Sequence, residues 1–172
     1  MYFSILDLIL LLIIFIFISF GFALGLVQSI GALVGVVIGS WIAGLYYEPV
    51  GAWLEPILLG HGNTARVVAF IIIFVVINRA TGLVFWFINK MFNIISIIPF
   101  TKSLNRILGA LFGFLEGVLA LGIILYFTSR FEISEWVTEI LSGSNVALWL
   151  IEMGGFLSPL LPELLNQLKS VI

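Results

Sequence analysis

Residues 8–47 read LILLLIIFIFISFGFALGLVQSIGALVGVVIGSWIAGLYY. Between Asp7 and Glu48 no side chain carries a charge at neutral pH. The stretch has room for two spans of about 20 residues, each enough to cross a hydrocarbon core of about 30 Å. Leu8 to Phe20 is nearly all Leu, Ile and Phe. At about −0.3 to −0.6 kcal/mol each, such residues favour insertion by several kcal/mol. The first run is therefore Ile5 to Phe22 and the second Leu26 to Tyr47, with Gly21 and Gly25 offering a tight hairpin reversal between them. Tyr46, Tyr47 and Glu48 read as an interfacial belt, and Pro49 as the end of the second helix.

Working outward, the whole chain fits the same class. Of 172 residues, 62% are hydrophobic and 9% charged. Average soluble domains hold about 25% charged residues, so this chain could not cover a water-facing surface. The fold class is all-α: an integral membrane protein with about four transmembrane helices plus amphipathic interfacial C-terminal helices. Seven Lys and Arg against nine Asp and Glu leave no basic footprint for nucleic acid. No cysteine is present to form a disulfide, a thiolate metal site or a cysteine nucleophile. The first run has no basic leader and continues past Gly25 into another run, which reads as a span rather than a cleaved signal.

Glu48 to Arg66 reads as a connector, with Trp53 resting on the membrane surface and Asn63 or Thr64 capping the next helix. The third run, Val67 to about Asn89, has Arg79 near its middle. Ten Val, Ile and Phe residues precede Arg79; they favour insertion by roughly 3 to 6 kcal/mol, against about 2.5 to 3.5 for a central Arg. The span therefore stands. Met91 to Phe100 is also apolar and suits an interfacial or re-entrant piece. The fourth run is Ile107 to Phe127, with Glu116 inside it. These runs form a transmembrane domain over residues 1–130.

Residues 131–172 read as an amphipathic interfacial region. Ile133, Trp136, Val137, Ile140 and Leu141 fall at helical spacing, with Glu132, Glu135 and Glu139 elsewhere around the helix. Ser142 to Asn145 breaks that helix, a short apolar piece follows, and a last helix presents Leu160, Leu161, Leu164, Leu165 and Leu168. Lys90, Lys102 and Arg106 flank the third loop without an acid, whereas the tail has five glutamates against Arg130 and Lys169. Lys and Arg gather on the cytoplasmic side. The loop over residues 90–106 is therefore expected inside, with the N-terminus and the tail outside.

Gly31, Gly35 and Gly39, with Ala43 continuing the row, recur every four residues, as do Gly109, Gly113 and Gly117. Residues four apart share a helix face, and glycine lets backbones approach closely where lipid offers no hydrophobic drive. Both rows read as helix-packing faces, joining helices within one chain, copies in a homo-oligomer, or another membrane protein. The segment Ile30 to Gly35 also aligns with Leu108 to Gly113. A duplicated hairpin with parallel pseudo-symmetry and chance likeness between apolar helices both stay open.

Arg79 lies ten residues before Asn89 and Glu116 ten after Arg106, so both sit about 15 Å deep from one side. Opposite charges at matched depth are natural partners, as a structural ion pair or as a polar pathway with Glu116 titrating. Asp7 suits the interface at a helix start. His61 stands alone in a glycine turn and makes no metal site. The spans offer neither a nucleophile with a base nor paired aspartates. No enzyme activity and no cofactor are expected; the lipid bilayer is the one certain partner.

Asp7, then Gly21-Phe22-Ala23-Leu24-Gly25-Leu26-Val27, then Asn105 to Gly117 (NRILGALFGFLEG) resemble the colicin V production protein family over roughly residues 5 to 130. The chain departs from the family habit at Phe22 and Ala23, where basic residues are usual. It also carries Asn105 and Glu116 where an Asp and a basic residue tend to stand. The resemblance implies a small bacterial inner-membrane protein of about four spans, accessory to bacteriocin production or export and to envelope maintenance. The alternative from the residues themselves is an oligomeric ion channel or transporter lined by the glycine-rich helices, with Arg79 and Glu116 in its polar pathway.

Overall fold

A computed structural model describes residues 4–92, 102–131 and 133–160. Four helices are long and apolar enough to span: α1 (Ile5–Leu24), α2 (Leu26–Leu54), α3 (Gly62–Phe92) and α4 (Lys102–Ser129). Two shorter helices, α5 (Glu135–Ser142) and α6 (Asn145–Gly155), and a 3-10 turn at Ser158–Leu160 follow. The protein is an all-α integral membrane protein. The apolar segment within 93–101 and a last helix beyond Leu160 lie outside the described residues.

Three local expectations are corrected. The chain breaks at Gly25 alone (φ 83°, ψ 177°), while Gly21 is still helical within α1. One glycine in a conformation closed to other residues suffices for the change of direction. Pro49 does not end α2, which continues to Leu54. Pro49 is exposed, and Gly51 beyond it seats on the Arg66 backbone, where an added Cβ would stand 3.0 Å from Arg66 Cα. Asn63 and Thr64 do not cap α3; they lie in its first turn, and the His61 carbonyl already accepts from Ala65 N–H at 2.9 Å.

The two helices of each hairpin, α1 with α2 and α3 with α4, scarcely meet. Instead α2 packs on α3 and α1 packs on α4, while α2 and α4 touch along the middle. The glycine rows explain both main seams. On α2, a Cβ added at Gly31, Gly35 or Gly39 would strike Phe85, Asn78 or Phe74 of α3. On α4, one at Gly109 would strike Gly21 of α1 and the Gly25 cap, one at Gly113 the Phe17 and Gly21 backbone, and one at Gly117 the Phe17 side chain. Both rows are thus filled by helices of the same chain.

Taken as two halves, α1–α2 and α3–α4, the hairpins exchange partners. The second helix of each half packs on the first helix of the other. The two second helices face each other in register, Leu26 meeting Asn105 at one end and Tyr47 meeting Phe127 at the other.

The end of the bundle opposite Gly25 is aromatic. Tyr47, Phe70, Phe74 and Phe127 are buried together; Phe70 stacks on Phe127 at 3.9 Å and Tyr47 meets that ring edge-on at 4.9 Å. Beside them α6 packs into the bundle. Ala147 and Leu150 join Leu10, Ile14 and Val118 in a second core, and a Cβ at Gly154 would strike the Gly122 backbone of α4. The α5 helix has no buried residue, and Trp136 is 69% exposed.

Candidate functional site: a polar cavity at mid-membrane

Because α1 parts from α2 and α3 from α4, α1 and α3 leave a gap over α2 and α4. A cavity of about 310 Å³ fills it. Its walls are largely apolar (Ile16, Phe17, Phe20 and Leu24 from α1, Leu83 from α3), and its polar groups are Gln28, Ser29, Asn78, Arg79 and Glu116. The structure thus brings together the two charges in the middle of the spans. Two groups of α3 bear on the Glu116 carboxylate, the Asn78 amide as donor and the exposed Arg79 guanidinium as opposite charge. Asn78 Oδ1 is sealed from solvent against Gly35 without a hydrogen-bond partner.

Gln28, which the sequence did not single out, reaches from the Gly25 end into the cavity. Its Nε2 donates to the Gly82 carbonyl at 3.0 Å. Glycine 82 itself has nothing within 4 Å of where a Cβ would stand. The break before α2 is held by Asn105, whose Oδ1 accepts from Leu26 N–H at 3.1 Å across the α2–α4 contact. An Asp would supply the same acceptor, so the departure from the family habit at this position leaves the cap intact. Asn105→Leu should lower stability by about 1 kcal/mol, as other lost N-caps do, and Asn105→Asp should not. Thermal unfolding of the two variants in detergent checks this.

At the other end Asp7 is fully buried. Its Oδ2 accepts from Ser4 N–H at 2.7 Å, closing a capping box at the start of α1. Its Oδ1 accepts from Ser144 O–H at 2.6 Å and Val146 N–H at 2.9 Å, which are the first groups of α6. The residue is therefore a shared cap for two helices. The sequence pointed to the first of these roles and carried no sign of the second.

Gly25, Asn105 and Asp7 are three of the positions on which the resemblance rested, and each now has a structural reason. The sequence profile of the colicin V production protein family matches residues 6–155. The chain belongs to the colicin V production protein family. The match runs beyond residue 130 and takes in α5 and α6, which agrees with the docking of α6 on α1 and α4. An uncharacterized transmembrane protein of Bacillus subtilis (strain 168), YshB, is 25% identical over 178 residues, covering 94% of this chain and 98% of the relative. No solved structure matches the chain.

Proposed function

We propose that this member of the colicin V production family is a non-catalytic accessory protein of the bacterial inner membrane, assisting bacteriocin production or export and envelope maintenance. The observation that carries this reading is the family match over residues 6–155, which spans the helical bundle and the docked α6 together. The packing adds a constraint on how it would assist. With both glycine rows filled from within, a partner protein or a second copy would meet the outer faces instead, such as Leu8, Leu12 and Phe15 of α1 or Val76, Trp86 and Phe87 of α3, all exposed. The end carrying Lys90, Lys102 and Arg106 would face the cytoplasm, with Asp7, Glu48 and the tail outside.

The test is complementation. In a bacteriocin producer deleted for its own family member, expression of this chain should restore the inhibition zone and dye exclusion by the envelope. An inserted chain that changes neither would overturn the proposal.

A second reading, an oligomeric channel or transporter, is favoured by one observation, the cavity that Arg79 and Glu116 both line. The aromatic cluster beyond it fills the interior of a single chain, so flux would need an assembly or a rearrangement. Purified protein reconstituted in planar bilayers should therefore be silent under the accessory reading. Reproducible currents altered by Glu116→Gln would move the assignment to a channel.

A further inference from the structure

The cavity is asymmetric along the membrane normal. At one end it begins near Gly25, where Leu24, Gln28 and Ser29 line it. Lys90, Asn105 and Arg106 stand at that same end of the bundle, the last two in the first turns of α4 and Lys90 in the last turn of α3. At the other end the cavity stops at Glu116, Ile16 and Phe17. Beyond that level Phe74, Phe70, Tyr47 and Phe127 fill the bundle, with Phe17 itself packed against them.

Its contents follow from its size and lining. Holding one water takes roughly 10–15 Å³ of such volume together with two to four polar partners. A cavity of about 310 Å³ that offers a carboxylate, a guanidinium, two amides and a hydroxyl is far above that threshold. A charged pair left dry at this depth would be costly, whereas water lowers that cost. Asn78 Oδ1 is buried against Gly35.

We infer that the cavity is a water-filled vestibule, open at the Gly25 end and closed beyond Glu116, which makes Glu116 a proton-binding site served from one side of the membrane only. The exchange is simple: the carboxylate takes a proton from vestibule water and returns it the same way. Among the described residues, the groups that share the cavity with Glu116 are the Arg79 guanidinium and the Asn78 amide from α3, the uncharged Gln28 and Ser29 from α2, and apolar side chains from α1. Among them Arg79 is the opposite charge that protonation of Glu116 would release. The site lies at the interface of the two halves, where internally duplicated membrane proteins place their substrate and coupling-ion sites. It would operate whether or not the chain assists peptide export.

The test uses full-length protein in sealed vesicles of known orientation. A water-soluble carbodiimide with an added amine is offered to one face at a time, and the modified residue is located by mass spectrometry. The expected result is modification of Glu116 from the Gly25 side, at least tenfold faster than from the other side and faster as pH falls, with none in Glu116→Gln. Because the chain has no cysteine, a second probe is clean. A cysteine at Ala32, in the cavity wall, should react with a charged methanethiosulfonate from the same side only, and one at Phe74 from neither. Equal reaction from both faces would overturn one-sided access. Reaction of Glu116 with a lipid-soluble carbodiimide alone, together with an unreactive Ala32→Cys, would overturn the water-filled vestibule.

Discussion

Replacing Gly113 by leucine should separate α1 from α4 and leave little folded protein to recover. A Cβ at this position would lie 2.5 Å from the Phe17 carbonyl oxygen and 3.1 Å from Gly21 Cα. Both obstacles are backbone, so no rotamer change relieves the clash. Even Gly113→Ala should cost about 1 to 3 kcal/mol, the usual penalty for overpacking, and leucine adds three further carbon atoms in the same gap. Gly35→Leu should act equally on the α2–α3 seam, where Asn78 blocks the way. The control is Gly82→Ala, a helical glycine with nothing within 4 Å, which should keep the parent melting temperature within a few degrees. Size-exclusion profiles and thermal unfolding in detergent distinguish these cases. A monodisperse Gly113→Leu protein with the parent melting temperature would show that the glycine rows are not what holds the helices together.

The number of spans was legible because the evidence for each is local. An uncharged stretch from Leu8 to Tyr47 has one physical reading, and ten apolar residues outweigh Arg79 whatever surrounds them. The meeting of Arg79 and Glu116 in one cavity was legible for a related reason, since both sit nearly equally far along the chain from the same loop and helical rise converts that spacing into similar depth. Partnership between helices was not. A glycine row states that a face is packed closely but not against which helix, and nothing in Gly31, Gly35 and Gly39 distinguishes α1 from α3 as the neighbour. Short side chains that act at a distance were also hidden. The Ser144 hydroxyl reaches a carboxylate 137 positions earlier in the chain, and Asn105 caps a helix that begins 79 positions before it. No periodicity marks such pairs. For α6 there was a faint local signal, Ser144 one residue before the helix and Gly154 near its end. An 11-residue helix is too short to read as a span, and its apolar face reads equally well as lying on lipid.

Replacing Asp7 by alanine should release α6 from the bundle while leaving the four spans inserted. The carboxylate is the common acceptor for Ser4 N–H, Ser144 O–H and Val146 N–H, and it is fully buried. Alanine leaves all three donors without their acceptor, and one of them, the Ser144 hydroxyl, is fully buried. A hydrogen bond to a charged group contributes about 1.5 to 3 kcal/mol. The capping box at the start of α1 also goes, but the rest of α1 is held by its apolar length and its seam with α4, so insertion survives. What is left to hold α6 is the Leu150 and Ala147 contact with Leu10, Ile14 and Val118, together with the approach of Gly154 to Gly122. Both require α6 to lie where Asp7 places its first turn. Asp7→Asn should be nearly as damaging, because an amide offers one acceptor where the carboxylate has two and turns N–H groups toward existing donors. The measurement is the rate at which a maleimide modifies a cysteine placed at Ala147, a fully buried position in a chain that has no other thiol. Loss of about 3 kcal/mol of docking energy would raise that rate roughly a hundredfold, with Glu152 on the same helix becoming a cleavage site for a glutamate-specific protease. An unchanged rate in Asp7→Ala would mean that apolar contact alone seats α6 and that the shared cap contributes nothing to its docking.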